Sequence, residues 1–178
     1  GEVVGLLGAN GAGKTTLMRM LLGLLPTTEG TVLMLGGPPR RERRRRLGYV
    51  PQNLGLYRDL TLTENLAFVA DAYGTPVPAL PDDLSRYADV LVADIPLGAQ
   101  RQGAFVAALS HEPEAVLLDE PTSALDPTAA EEVLATLARL VHDLGKTIVV
   151  AEHRMERVVP FADRIAYVVG RTGDAFDG

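Results

Sequence analysis

Cysteine is absent from all 178 residues, which rules out disulfides and thiolate metal sites and agrees with a reducing compartment. Long apolar runs are absent as well. No stretch approaches the ~18 residues a membrane-crossing helix needs, so no segment spans a bilayer as a helix. The start carries no secretory leader pattern. Histidine is scarce, with only His111, His142 and His153 available for histidine chemistry.

What remains is ordinary for a folded domain: 47% of residues are hydrophobic and 22% charged, which excludes global disorder. The length suits one domain with a sizeable core. Gly1 leads directly into a strand-like stretch without an initiator methionine, and residues 170–173 read as a turn before a short polar tail. We therefore expect an excerpt of a longer protein.

The net charge of -6 is unevenly spread. Residues 40–46 hold six arginines around Glu42, and taking their +5 from the total leaves -11 on the rest of the chain. A mostly acidic surface disfavours wholesale binding to phosphate backbones, so no nucleic-acid partner is expected. The arginine run has the charge to meet acidic lipid headgroups or nucleic acid, although a run this short is ordinarily a solvated helix or loop face.

Strand-like and helix-like stretches alternate. Strands are expected at 2–7, 31–35, 47–50, 115–118, 147–151 and 164–169. Helices are expected at 15–24, 62–73, near 83–92, at 100–109 and at 127–144. Thr61-Leu62-Thr63-Glu64 has the form of a capping box, and Gly74 with Pro76 and Pro78 stops the helix it opens. Pro127 stands at the start of the long amphipathic helix. The alternation predicts an α/β fold, a mostly parallel sheet flanked by helices.

Residues Gly8 to Thr15 (GANGAGKT) match GxxxxGK[ST] between an expected strand and an expected helix, the context that motif requires. Glycines let the backbone curl so that the amides of Asn10, Gly11, Ala12 and Gly13 face inward, forming an anion nest at a helix start. Lys14 supplies a positive charge for β- and γ-phosphates, the Thr15 hydroxyl is placed for Mg²⁺, and Thr16 for the α-phosphate. Residues 115–120 (AVLLDE) form four apolar positions ending in two acids. A buried strand of this kind delivers Asp119 and Glu120 to the carboxyl edge of the sheet, beside the phosphate loop. There Asp119 would hold Mg²⁺ and Glu120 would polarise an attacking water.

The segment from Leu118 to Pro127 (LDEPTSALDP) resembles the joined Walker B and D-loop of ATP-binding-cassette ATPases. Tyr49-Val50-Pro51-Gln52 is similar to that family's Q-loop, and Val150-Ala151-Glu152-His153 to its switch-histidine segment. The likeness runs from Gly1 to about Gly170. It implies a P-loop NTPase core at residues 1–52 and 99–178 and a helical subdomain at 53–98. It also implies that Gln52 senses the γ-phosphate and metal, that His153 contacts the γ-phosphate, and that Asp126 belongs to the nucleotide site. ATP and Mg²⁺ would be the ligands. A transmembrane permease and a second ATP-binding subunit would be the partners, at the inner face of the cell membrane.

Within the family, Leu56-Tyr57, Leu60-Thr61 and Glu64-Asn65-Leu66 are similar to exporter subunits, while residues 152–156 (EHRME) are also similar to vitamin and metal importers. The family signature Leu-Ser-Gly-Gly-Gln is replaced by Ile95-Pro96-Leu97-Gly98-Ala99. Only Gly98 keeps its identity, so Gly98 and neighbouring amides are expected to cap the phosphate of the opposite subunit. The segment at 74–95 is short for the family, and the adenine-stacking aromatic would lie before Gly1. Two alternatives follow from these departures and from the breadth of the family. One is a degenerate, regulatory ATP-binding half, and the other a soluble ATPase acting on DNA or ribosomes.

Overall fold

Strand β3, Ala115–Asp119, is buried along its whole length, and this explains why its sequence is continuously apolar rather than alternating. The computed structural model describes residues 1–123 and 125–169, leaving aside the side chains of residues 132, 136, 138–144 and 155. The turn expected at 170–173 and the side chain of His142 lie outside the described residues. Five strands pair in the order β2-β3-β4-β1-β5, with β1 at Val3–Leu7, β2 at Leu47–Val50, β4 at Thr147–Glu152 and β5 at Arg164–Tyr167. Every pairing is parallel.

The two faces of β3 feed different cores. Val116 and Leu118 join Val50, Ile148 and Val150 against Val133, Leu134 and Leu137 of helix α6, Pro127–Leu144, and Ala104 and Phe105 of helix α5, Leu97–Leu109. Ala115 and Leu117 face the other way, onto Met18 and Leu22 at helix α1, Lys14–Leu21. A third cluster of Leu62, Leu84, Val92 and Ile95 gathers helix α3, Leu62–Tyr73, and helix α4, Asp82–Ser85. Helix α5 serves two clusters, since its Ala99 and Val106 pack against this third one. Further short helices among the described residues are α2 at Arg41–Arg44, α7 at Met155–Val158 and a 3₁₀ turn at Val92–Asp94.

The expected capping box is formed. The Thr61 hydroxyl accepts from the Glu64 amide at 3.2 Å and the Glu64 carboxylate accepts from the Thr61 amide at 2.7 Å, while Gly74 ends α3 at φ 70°. Thr61→Ala is expected to cost about 1 kcal/mol and lower the melting temperature by roughly 2–4 °C, read by thermal denaturation.

Two expectations fail for identifiable reasons. Residues 31–35 do not form a strand, because Leu35 (φ 48°) and Gly36 (φ 77°) turn the chain back at once into a single Met34–Gly37 bridge. The helix near 83–92 shortens to α4, because the Ala88 and Val90 carbonyls accept from the Thr63 and Leu62 amides at 3.0 and 3.3 Å. Helix starts leave their first amides without partners, and here the turns that follow α4 take them. Conversely, α5 begins at Leu97, three residues before expectation, with Pro96 at its cap position. The first strand and first helix end within a few residues of where the pattern put them.

Candidate functional site

The carboxyl ends of β1 and β3 open onto the phosphate loop. Gly11 and Gly13 hold φ of 79° and 99°, although a Cβ would meet nothing within 4 Å at either one. Backbone conformation, rather than lack of space, therefore requires glycine there. Helix α1 starts at Lys14, so the loop's amides gather at a helix N-terminus. Lys14 is nearly buried and donates through Nζ to the carbonyls of Gly8 at 2.8 Å and Ala9 at 3.0 Å. These bonds hold its ammonium across the loop and leave a proton for a ligand.

An open cleft of about 350 Å³ is lined by Asn10, Gly11, Gly13, Lys14, Thr15, Thr16, Gln52 and Glu120. A neighbouring cleft shares Thr15 and Gln52 and adds Asp119 together with Arg19 and Tyr49. The sequence-derived candidates from both halves of the chain thus meet at one place. Ala12 does not line either cleft, and its amide donates to the Ala9 carbonyl at 3.1 Å. Gly98 lies in the first turn of α5 and Asp126 caps α6 by accepting from the Ala129 amide at 3.0 Å, so neither lines the loop cleft.

The two adjacent acids are treated differently. Asp119 ends the strand 2% exposed, with neither carboxylate oxygen hydrogen-bonded. Burial pushes its carboxyl above the ordinary value, and the nearby Thr15 hydroxyl, Lys14 and Arg19 pull against that rise. Glu120 leaves the strand at φ 51°, a conformation uncommon for a residue with a side chain. Its Oε2 accepts from Gln52 Nε2 at 3.0 Å, and its Oε1 stands 3.6 Å from His153 Nδ1. A carboxylate gripped on one side and open on the other can orient a water and take its proton.

A buried acid with two orphaned oxygens, beside a threonine hydroxyl and an amide, fits a hard divalent cation that keeps waters and phosphate oxygens as its other ligands. Among the described residues no group of three or more His, Cys, Asp or Glu could hold a metal by itself. A divalent cation there would draw the rest of its shell from water and phosphate oxygens.

Sequence reasoning missed the framework behind these groups. Glu152 is fully buried, and its Oε1 accepts from the Thr122 amide at 2.9 Å and the Thr122 hydroxyl at 2.6 Å. Arg157 donates to the Thr122 carbonyl at 2.9 Å. Arg101, 3% exposed, donates to the Glu120 carbonyl at 3.2 Å and to the Ser123 carbonyl. Burial draws its guanidinium below its usual value, against the opposing charges of Glu152 and Glu120. The loop carrying Glu120 is thus clamped from two helices and a strand. The available signals were Glu152 at the end of an apolar strand and Arg101 as the lone cation of α5.

His111 is structural. It stacks on Tyr73 with ring centres 3.8 Å apart, and its Nε2 meets the Leu47 carbonyl at 3.0 Å. Its Nδ1 is buried without a partner, and burial lowers its pKa against the opposing Leu47 bond. A lowered folded value means stability present above the unfolded value near 6.5 is lost as pH falls below it. On acidification from pH 7.5 to 5.5 the chain should lose more melting temperature than His111→Phe, which keeps the stack but cannot titrate. Equal losses would remove His111 from the account.

Residues 1–123 match the family model described as ABC transporter. The Nod factor export ATP-binding protein I of Sinorhizobium fredii is 42% identical over 180 residues, covering 94% of this chain and 52% of that protein. The methionine import ATP-binding protein MetN 2 of Pectobacterium atrosepticum is 36% identical over 197 residues, covering 99% of this chain and 58% of its own length. The chain spans from about a third to little more than half of the curated relatives it matches. In three dimensions it is similar to the ATP-binding cassette MJ0796 in a dimeric, post-hydrolysis state bound to ADP and Pi. The TM-score is 0.79 at 27% identity, over 95% of this chain and 82% of that one.

Proposed function

The chain belongs to the ABC transporter family, and on that premise we propose that it binds Mg-ATP and hydrolyses it to drive a membrane-spanning permease. The observation that carries this reading is the convergence of Lys14, Gln52 and Glu120 on one cleft, with Asp119 in the cleft that shares Thr15 and Gln52. The loop amides and Lys14 bind the phosphates. Thr15, Asp119 and Gln52 would hold Mg²⁺, which when bound would neutralise phosphate charge. Glu120, steadied by Gln52, positions a water in line with the γ-phosphorus and accepts its proton. The new oxygen–phosphorus bond forms as the bond to the β–γ bridging oxygen breaks, giving ADP and phosphate. His153 meets the γ-phosphate from the end of β4.

We further propose a P-loop core at residues 1–52 and 99–178 and a helical subdomain at 53–98, two copies or a copy and a homologue sandwiching nucleotide head to tail. The third apolar cluster supports that division. In the sandwich Gly98 and Asp126 would complete the partner's site, which agrees with their position away from this chain's own cleft. Among the described residues no helix is long and apolar enough to cross a membrane, so the permease would be a separate chain or segment. The motifs around Leu56 and Glu64, and the likeness to the Nod factor export protein, favour export from a site on the inner membrane face. Co-purification of a membrane-spanning partner together with magnesium-dependent ATP turnover tests the whole reading.

Pro96 and Leu97 favour a second, regulatory reading, because they remove the hydroxyl and one amide of the signature. Both are exposed at the start of α5, where Leu97, Gly98 and Ala99 offer the helix's free amides. If slow turnover stems from this signature, Pro96→Ser should raise the dimer's ATPase rate several-fold. An unchanged rate would count against the signature as the limiting element.

A further inference from the structure

Five of the six arginines at residues 40–46 sort into two groups once folded. Arg43 lies against Gly37, where a Cβ would meet its guanidinium carbon at 2.5 Å, and Arg43 donates to the Pro38 carbonyl at 3.3 Å. Arg46 forms a two-pronged pair with Glu114. These two are structural. Arg41, Arg44 and Arg45 instead converge on an open hollow of about 390 Å³, walled by Ala72 and Tyr73 at the end of α3. Arg45 donates to the Tyr73 carbonyl at 3.3 Å across 28 positions of sequence, which fixes α2 against α3. Among the described residues none of the three is paired with a carboxylate.

A solvated helix face would spread its charges into water. Here three guanidiniums from little more than one turn gather at a concave surface with an apolar wall, on a chain that is otherwise strongly acidic. Guanidinium groups match phosphate oxygens two at a time, which a point charge cannot do. The hollow has the size of a single headgroup, and the net negative charge of the rest of the chain disfavours a long polyanion. We propose that Arg41, Arg44 and Arg45 with the Tyr73 wall form a second phosphate-binding site, separate from the phosphate loop, for the phosphate group of an anionic lipid headgroup or a small phosphate ester. The lipid source rests on the membrane-associated role proposed above; the phosphate chemistry does not.

The test uses the whole chain with its phosphate loop saturated by ADP, so that only the second site is read. One arm measures co-sedimentation with vesicles of phosphatidylglycerol in phosphatidylcholine. The other follows the arginine Nε–Hε resonances during titration with glycerol phosphate. Replacing the three arginines by alanine should weaken vesicle binding about 100-fold, while the same change at exposed Arg58, Arg86 and Arg164 should leave most of it. Replacing them by lysine keeps the net charge and the fold but removes the fork, and binding should still fall. Vesicle binding with this pattern assigns a lipid headgroup. Shifts confined to the three resonances without vesicle binding assign a soluble phosphate ester. If neither probe binds, or if the lysine variant and the displaced-alanine control behave alike, the site is refuted. ADP affinity, titrated separately, tells this failure from a failure of the ATPase reading.

Discussion

Lys14→Ala is expected to weaken ATP binding by about 10- to 100-fold and to bring turnover below detection. A hydrogen bond to a charged partner is worth about 1.5–3 kcal/mol, and each 1.4 kcal/mol is tenfold. The turnover loss exceeds the affinity loss because the ammonium gains most as charge moves onto the bridging oxygen. Part of the effect comes from the loop itself, since the Gly8 and Ala9 carbonyls lose the donor that closes them. Isothermal titration with a non-hydrolysable ATP analogue, paired with a thermal melt, separates the two contributions. Affinity unchanged within twofold would mean that the loop does not bind phosphate in the way its geometry suggests.

Glu120→Gln tests the other half of the site, with a different signature. The replacement is isosteric and its amide oxygen can still accept from Gln52 Nε2, so the loop should hold its shape. What is lost is a base for the attacking water, typically worth about 10²- to 10⁴-fold. Turnover should fall by that factor while nucleotide affinity stays within a few-fold, and ATP-bound dimers should accumulate for want of hydrolysis. The unusual φ of 51° at Glu120 is kept by the clamp of Arg101 and by the Glu120 amide, which donates to Ala151 at 2.9 Å, so the variant should fold normally. Residual turnover within tenfold of the starting chain would move the base elsewhere, with His153 the next group to examine.

The two variants separate binding from chemistry. A chain that loses affinity with Lys14 and turnover with Glu120 is an ATPase whose phosphate grip and water activation follow different strands, β1 and β3. A regulatory half would respond to Lys14→Ala and show nothing further with Glu120→Gln.

Much of this arrangement was legible from neighbouring residues alone. GxxxxGKT, the AVLLDE strand, the Thr61–Glu64 capping box and the Pro127 helix start each depend on groups a few residues apart, so local sterics and hydrogen bonding decide them. The helices expected at 62–73 and 127–144 take those bounds, and the strand expected at 115–118 runs one residue further. One failure came where a distant segment intervened, with carbonyls 88 and 90 taking the first amides of α3; the other came from a tight turn at Leu35 and Gly36 that folds residues 31–35 back at once. Tertiary structure alone decided that Gln52 grips Glu120 across 68 positions, that Glu152 holds Thr122 across 30, and that three of six arginines face one hollow. Such contacts depend on where the sheet order places chain segments. That order follows from the packing of both faces of β3 at once, which no local spacing encodes.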